Sequence, residues 1–313
     1  MKDHMVNHHA VIVTDIGNGR IVVADIDRIE PLAKENLIWE WIPKAEQGWQ
    51  YTTQTFLKDA LSGVKYRFSA YHKTHVVLFT GSRGSVGMIE YPSGKCLWEA
   101  MVGVSPHSIE LLPNGDIIVA SSGGGVGEKG RLHYLAHCGD GTYTPTMELP
   151  LYGAHGLVWD PAQQILWANG SMELVAYQLI TDGEGRRGLA QIPGKGTTLP
   201  NIYGHDLTQA LDDADILWLT TSPCVYQFRK SDNTLLAEFP NSETIHPLLR
   251  AKGLQSFPDG VIVWVAYGHH TAIEHPAFFT SMQPDEDGSC KLAEYIDEAS
   301  GWNKIRVFTD QHQ

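Results

Sequence analysis

The sequence predicts an all-β protein, a six-bladed β-propeller of four-stranded antiparallel blades that is closed by strands from both chain ends. Short runs rich in Val, Ile, Leu, Trp and Tyr recur along the chain and are separated by Gly, Asp, Asn and Pro turns. This pattern is typical of strands joined by tight connections. One hairpin pattern also repeats about every 40 to 50 residues, the period of a propeller blade.

The repeated hairpin supplies the two inner strands of each predicted blade. Its clearest copy is PHSIELLPNGDIIVASS at 106–122, and other copies lie at 66–82, 154–170, 204–222 and 251–267. Two further apolar runs follow each hairpin, such as RLHYLAH and TPTMELP after the clearest copy. The predicted blades of the single domain at 1–313 cover 10–43 plus 303–308, 64–102, 105–150, 153–194, 203–241 and 250–300.

The two chain ends are expected to share one blade. The N-terminal run VIVTDIGNGRIVVADID, followed by LIWEWIP, has the pattern of a blade that lacks its first strand. NKIRVF at 303–308 matches VKYRFS at 64–69 through a shared Lys-x-Arg and would supply that strand. Such pairing closes the ring and removes exposed sheet edges. The alternative is that 303–308 forms the outer strand of the last blade.

Two segments depart from the repeat. Residues 44–63 carry the pattern of a short helix between the first two blades, and residues 268–300 form a long excursion in the last blade. Long loops in compact domains tend to be functional or mobile.

Composition limits the function classes. The 313 residues are 42% hydrophobic and 19% charged, which is enough for a folded core and excludes a disordered chain. The net charge of −13 argues against nucleic acid or an anionic membrane as a partner. The apolar run 261–267 is far too short to span a membrane. The N-terminus lacks signal-peptide features, so we expect a cytoplasmic protein, or a secreted one whose leader has been removed.

Basic residues recur at the start of the first strands. A fixed offset from the second strands, together with the Lys-x-Arg match, places six of them at one position: Arg67, His107, His155, His205, Lys252 and Arg306. First strands line the channel of a propeller and begin on one face, so these side chains are expected to meet at one mouth of the channel.

Three imidazoles and three permanent cations can converge only if something offsets their charge. A divalent metal ion (Mn, Zn, Ca or Mg) can take the three neutral imidazoles, which would otherwise act as acid and base. A carboxylate or phosphate can bridge Arg67, Lys252 and Arg306. The competing interpretation is a structural plug, in which Asp15, Glu110 and others such as Asp206 satisfy the basic residues. Histidines at three equivalent positions favour a ligand site.

Weaker candidates lie nearby. Tyr203 precedes Gly-His in a YGH motif and is a candidate general base, although packing aromatics are commoner. His269 and His270, on the excursion, are candidate substrate contacts, and an exposed polar loop explains them equally well.

The phrases PHSIELLPNGDIIVASS, AHGLVWDP and YGHDL resemble an uncharacterised family of bacterial six-bladed propellers, in which a His begins several successive innermost strands. The resemblance covers about residues 10–310 and implies a fold without an established activity. More distantly, the ring of basic residues is similar to that of oligogalacturonate lyases, in which a His-held metal and an Arg base act on a uronic acid. It is also similar to that of streptogramin lyases, in which a His and magnesium open a cyclic ester. Neither motif carries over residue by residue.

The sequence therefore predicts that an anionic small molecule, such as a sugar acid or an oligosaccharide bearing one, binds at the channel mouth together with a divalent metal. In this interpretation the protein is a lyase acting next to a carboxylate. The alternatives are a non-catalytic ligand-binding or sensing propeller and a protein-interaction scaffold.

Overall fold

The computed structural model describes residues 9–28, 30–124, 129–247, 250–266, 278–284, 290–296 and 301–309. The strands are, in chain order, β1 (Ala10–Asp15), β2 (Arg20–Asp25), β3 (Leu37–Trp41), β4 (Leu61–Ser69), β5 (Thr74–Gly81), β6 (Ser85–Glu90), β7 (Cys96–Met101), β8 (Pro106–Leu111), β9 (Ile117–Ser121), β10 (Arg131–His137), β11 (Tyr143–Pro150), β12 (Gly156–Asp160), β13 (Ile165–Asn169), β14 (Glu173–Thr181), β15 (Arg187–Thr198), β16 (Gly204–Gln209), β17 (Ile216–Thr221), β18 (Val225–Arg229), β19 (Thr234–Leu236), β20 (Ala251–Ser256), β21 (Ile262–Ala266), β22 (Phe278–Pro284), β23 (Cys290–Ile296) and β24 (Trp302–Val307).

Helices are short in the described part of the chain. They comprise α1 (Gln54–Leu57), α2 (Ser242–Ile245) and the 3-10 helices Lys34–Asn36 and Ala45–Gln47. The predicted short helix at 44–63 is therefore confirmed. None of these helices is long and apolar enough to cross a membrane.

The strands form a β-propeller of four-stranded antiparallel blades, as the hairpin repeat predicted. The described residues form six four-stranded sheets, with the orders β24-β1-β2-β3, β4-β5-β6-β7, β8-β9-β10-β11, β12-β13-β14-β15, β16-β17-β18-β19 and β20-β21-β22-β23. The third and fourth strands of the last sheet, β22 and β23, lie within the predicted excursion.

The chain ends pair within one sheet. Val307, Arg306 and Ile305 of β24 lie opposite Val11, Ile12 and Val13 of β1. The alternative position for this strand, at the outer edge of the last sheet, is occupied by β23. The Lys-x-Arg match therefore identified the correct partner strand.

Burial decreases from the channel outwards. Every residue of the second strands β9, β13 and β17 is buried, whereas no residue of the outer strand β11 is buried. The inner strands are covered on both faces because each sheet packs against two neighbours, so their sequences are continuously apolar.

The core consists of apolar clusters between adjacent sheets. Alternate residues of β1 point to opposite neighbours, as the two-residue period of a strand requires. Val11 and Val13 pack with Val263 of the last sheet, whereas Ile12 packs with Phe79 of the next sheet along the chain. Packing between the first and last sheets thus closes the ring.

Candidate functional site

The six innermost strands, β24, β4, β8, β12, β16 and β20, contact one another in a ring around the channel. We call the end at which these strands begin the upper end and the opposite end the lower end. The histidines that the sequence singled out lie at the upper end.

Local irregularities in the strands direct the candidate side chains. Ser62, His107, His205 and Lys252 each lie at a β-bulge, where the inner strand has one more residue than its partner. A bulge bends the strand and changes the direction of a side chain. His155 directly precedes β12, and its backbone N–H donates to the Asn169 carbonyl at 2.9 Å.

The loops that lead into these positions contain a repeated left-handed residue. Ser105 (φ 55°), Gly153 (φ 61°), Tyr203 (φ 63°) and Arg250 (φ 54°) each precede a channel residue by one intervening position. A left-handed backbone conformation is unfavourable for residues other than glycine. Such residues cluster at functional sites in folded proteins. The same geometry in neighbouring blades delivers their side chains to one place.

These side chains surround a cavity of about 160 Å³, which we call the upper cavity. It is lined by Ile16, Ala60, Ser62, Ser82, His107, His155, His205, Lys252, Asn303 and Lys304. No Asp or Glu is among these described lining residues. The three histidines and Lys252 are partly exposed, so the group is accessible from solvent.

The three imidazoles form a connected stack. The rings of His107 and His155 are nearly parallel, with centroids 4.2 Å apart, and the ring of His205 lies edge-on to His155 at 5.6 Å. His155 Nδ1 lies 2.7 Å from the Gly153 carbonyl oxygen. A carbonyl only accepts hydrogen bonds, so Nδ1 carries the proton of the neutral ring and Nε2 is left as an acceptor.

Hydroxyls and ammonium groups hold the other rings. The Nε2 atoms of His107 and His205 lie 3.1 Å and 2.9 Å from the hydroxyls of Ser105 and Ser222. Lys252 Nζ lies 3.4 Å from both ring nitrogens of His205. Lys304 Nζ donates to the His205 carbonyl at 2.6 Å.

Burial lowers the pKa of every titratable group around the cavity. It lowers the pKa of His155 to about 4, and together with Lys252 it lowers that of His205 to about 2. The pKa of His107 also lies well below its usual value. Burial and repulsion by Lys304 lower the pKa of Lys252 to about 7. The imidazoles are therefore neutral at pH 7 and Lys252 is close to its midpoint.

The structure does not bring Arg67 and Arg306 to the upper cavity, so that expectation is wrong. Both line a second cavity of about 170 Å³ at the lower end. Arg67 donates to Glu110 at 2.8 and 3.0 Å, and Arg306 donates to both carboxylate oxygens of Asp206 at 2.7 Å. The competing interpretation, in which acidic side chains such as Glu110 and Asp206 neutralise the basic residues within the protein, is therefore correct for the two arginines.

Lysines complete these lower ion networks. Lys65 Nζ lies 2.7 Å from Glu110, and Lys304 Nζ lies 3.0 Å from Asp206. Although burial alone would raise the pKa of Glu110, Arg67 and Lys65 lower it to about 2. The third acid that the sequence suggested, Asp15, pairs instead with Arg20 at 2.7 Å.

Unequal hairpin lengths explain the error. A fixed offset assumes that all hairpins are equally long, but β4 and β5 have nine and eight residues, whereas β8 and β9 have six and five. Ser62, not Arg67, therefore occupies the bulge position of the second sheet. The Lys-x-Arg match carried the same error to Arg306.

Six lining residues of the upper cavity were missed: Ile16, Ala60, Ser62, Ser82, Asn303 and Lys304. Asn303 and Lys304 both lie opposite Thr14, where β24 has one more residue than β1. Lys304 belongs to the Lys-x-Arg motif, but no turn joins β24 to β1, so the sequence offered no count that would favour this Lys over the Arg.

Tyr203 does not join the cavity. Tyr203 is 52% exposed in the loop before β16 and is not among the lining residues. His269 and His270 lie outside the described residues.

Metal binding fits this arrangement poorly. Within the described ranges, no group of three or more His, Cys, Asp or Glu side chains is placed to hold a metal ion. The parallel rings of His107 and His155 do not converge on one point, and the ammonium of Lys252 lies against His205. A cation there would be repelled by Lys252 and Lys304.

Comparison with known proteins identifies a family and a fold. Residues 4–272 match the model of a family described as "Family of unknown function (DUF6528)". No curated protein matches the chain. A chain from the "Crystal structure of Nidogen/Laminin Complex" is similar, with 12% identity and a TM-score of 0.57 over 95% of this chain and 97% of that one. A functionally unknown protein from Desulfotomaculum acetoxidans DSM 771 has 11% identity and a TM-score of 0.53, over 91% of this chain and 78% of that one. At these identities the similarity shows the fold alone.

Proposed function

Because the chain belongs to this family of unknown function, we propose its activity from the upper cavity: the protein binds a small anionic molecule there through Lys252 and Lys304. We take each of the six four-stranded sheets as one blade. One observation carries the proposal. The described lining of the cavity combines two ammonium groups and three neutral imidazoles with no acidic side chain.

Charge supports an anion as the ligand. Burial lowers the pKa of Lys252 to about 7 and is the main cause that lowers the pKa of Lys304 to about 8. An anion between the two ammonium groups would offset their repulsion and raise both pKa values. It would also accept hydrogen bonds from the ammonium groups and from Ser82. The two lysines repel each other, and a bound anion would relieve that repulsion.

Size restricts what enters. A cavity of about 150 Å³ holds a molecule about as large as benzene. The upper cavity, at about 160 Å³, therefore suits a carboxylate or phosphate with a few neighbouring atoms. The remainder of a larger ligand would project from the mouth.

A lyase reaction is the second candidate, because neutral bases lie where the anion would bind. His155, with a pKa of about 4, is neutral at pH 7, and its Nε2 can accept a proton. A base would remove the proton from the carbon next to the carboxylate. The carbon–oxygen bond on the following carbon then breaks, the departing oxygen takes up a proton, and a double bond remains.

Binding and catalysis are tested separately. We expect galacturonate, citrate or sulfate to raise the melting temperature of the wild-type protein, and Lys252→Met to remove that effect. If none of the three binds, anion binding at this site is wrong. For the lyase, oligogalacturonate is incubated with the protein, with and without divalent metal, and the absorbance of an unsaturated product is followed. Turnover that survives in His155→Ala contradicts its role as base.

The divalent metal remains a prediction, although the geometry favours an anion. Metal analysis of the purified protein gives the answer directly. Near-stoichiometric metal that is lost in His155→Ala would support a metal site despite the nearby lysines.

A further inference from the structure

Exposed apolar side chains border the upper cavity on one side. Tyr152, Met172, Ile202 and Tyr203 are 61%, 50%, 51% and 52% exposed, respectively. We call these four residues the apolar rim. Tyr152 lies in the loop that leads to His155, and Ile202 and Tyr203 lie in the loop that leads to His205. Met172 lies in the loop between β13 and β14.

Backbone hydrogen bonds hold these loops together. Ser171, the neighbour of Met172, donates to the Tyr152 carbonyl at 2.8 Å and accepts from the N–H of Gly204 at 3.3 Å. The three loops therefore meet at Ser171, which places the four apolar residues on adjoining loops. Single exposed apolar residues are ordinary on a protein surface, whereas a patch beside a binding site marks an interaction surface.

We propose that the ligand is an amphipathic carboxylate, an inference that rests on the proposed anion site. Its charged group enters the upper cavity between Lys252 and Lys304, and its apolar body lies on the apolar rim. Charge complementarity fixes the orientation, because the only described ammonium groups that line the cavity belong to these two lysines.

The rim distinguishes this ligand from a sugar acid. Sugar hydroxyls need donors and acceptors around them, and unsatisfied ones disfavour binding. The side chains of Met172 and Ile202 offer essentially none, and the rim's only side-chain donors are the hydroxyls of Tyr152 and Tyr203. An alkyl or aryl group, in contrast, gains affinity from each carbon that it removes from water.

Three probes test the ligand class by titration calorimetry: acetate, octanoate and octan-1-ol. We expect octanoate to bind at least about tenfold more tightly than acetate, which requires burial of only about two methylene groups. Octan-1-ol should bind much more weakly than octanoate, because it lacks the charge. The double variant Met172→Ser/Ile202→Ser should remove the advantage of octanoate, and Met172→Leu/Ile202→Val should restore it. Both pairs change exposed residues, and an unchanged melting temperature without ligand verifies their folding.

The outcomes separate this inference from the proposed function. If octanoate binds no more tightly than acetate, while Lys252→Met abolishes both, the amphipathic ligand is wrong and the anion site stands. If octan-1-ol binds as tightly as octanoate, the rim binds apolar molecules without the cavity, and the inference is also wrong. If neither acid binds and galacturonate, citrate and sulfate do not bind either, the anion site itself is wrong.

Discussion

The two ends of the channel use their cations differently. At the lower end, Glu110 accepts from Lys65 and Arg67, and Asp206 accepts from Arg306 and from Lys304, which extends to the upper cavity. At the upper end, the described lining holds two ammonium groups and three imidazoles without a carboxylate. Buried charges need partners, so the lower networks stabilise the ring itself, whereas the upper group is suited to a partner from solution.

The largest expected effect is on stability and comes from the lower networks. Asp206→Asn removes the buried partner of Arg306 and Lys304, and breaking a buried ion pair from one side costs about 3–5 kcal/mol. Urea unfolding measures the loss. The matched control is Glu148→Gln, since Glu148 is 52% exposed and pairs with the exposed Arg131, where the loss should stay below about 1 kcal/mol. Equal losses in both variants would contradict a structural role for the lower networks.

The upper end should show the opposite behaviour. His155→Ala opens no large apolar cavity, so we expect the ligand-free protein to lose less than about 1 kcal/mol. The same variant should abolish the thermal shift caused by citrate or octanoate, because a ligand stabilises only the state that it binds. His72→Ala, in the β4–β5 turn, is the control and should keep the full shift. If His155→Ala unfolds the ligand-free protein, the histidines are structural.

Binding at the upper end should depend on pH. The pKa of Lys252 is lowered to about 7 in the ligand-free protein, and a bound anion raises it, so binding takes up a proton above pH 7. Affinity is therefore expected to fall as pH rises above 7, by up to about tenfold per pH unit for one proton. Calorimetry in two buffers of different ionisation enthalpy measures the proton uptake. Lys304, whose pKa is lowered to about 8, should add to the uptake, and an affinity that rises with pH would exclude this linkage.

The same pKa shift has a consequence for folding. The unfolded chain binds a proton at Lys252 up to about pH 10.5, whereas the folded, ligand-free protein releases it near pH 7. The contribution of this lysine to stability thus increases as pH rises from about 7 towards 10.5.

The smallest expected effect is on ligand affinity, and it comes from a change at the lower end of the channel. Arg67→Met should change the affinity for citrate or octanoate by less than about twofold, because Arg67 lines the lower cavity and is paired with Glu110. Its cost should appear only as lower stability in urea, since Glu110 then retains only Lys65. If Arg67→Met loses as much affinity as His155→Ala, Arg67 takes part in ligand binding and this distinction between the two ends is wrong.

Hairpin periodicity made the fold and much of the site predictable. Strand–turn–strand repeats identified the four-stranded blades, and the Lys-x-Arg match identified β24 as the partner of β1. His107, His155, His205 and Lys252 were brought together correctly because their hairpins are of nearly equal length. Arg67 failed because its hairpin is longer, and pairing register depends on where the turn falls.

The sequence by itself determined the all-β repeat, which follows from the two-residue alternation of the strands. It also identified His107, His155, His205 and Lys252 as residues of one site, because the spacing of their hairpins is nearly constant. Tertiary structure decided which cations are neutralised. Glu110 lies on the strand next to that of Arg67, and Asp206 lies two strands round the ring from Arg306, so packing of the inner strands is what brings each pair within 3 Å. It also decided that Lys304 joins the histidines, since a bulge where β24 meets β1, distant in sequence, directs its side chain.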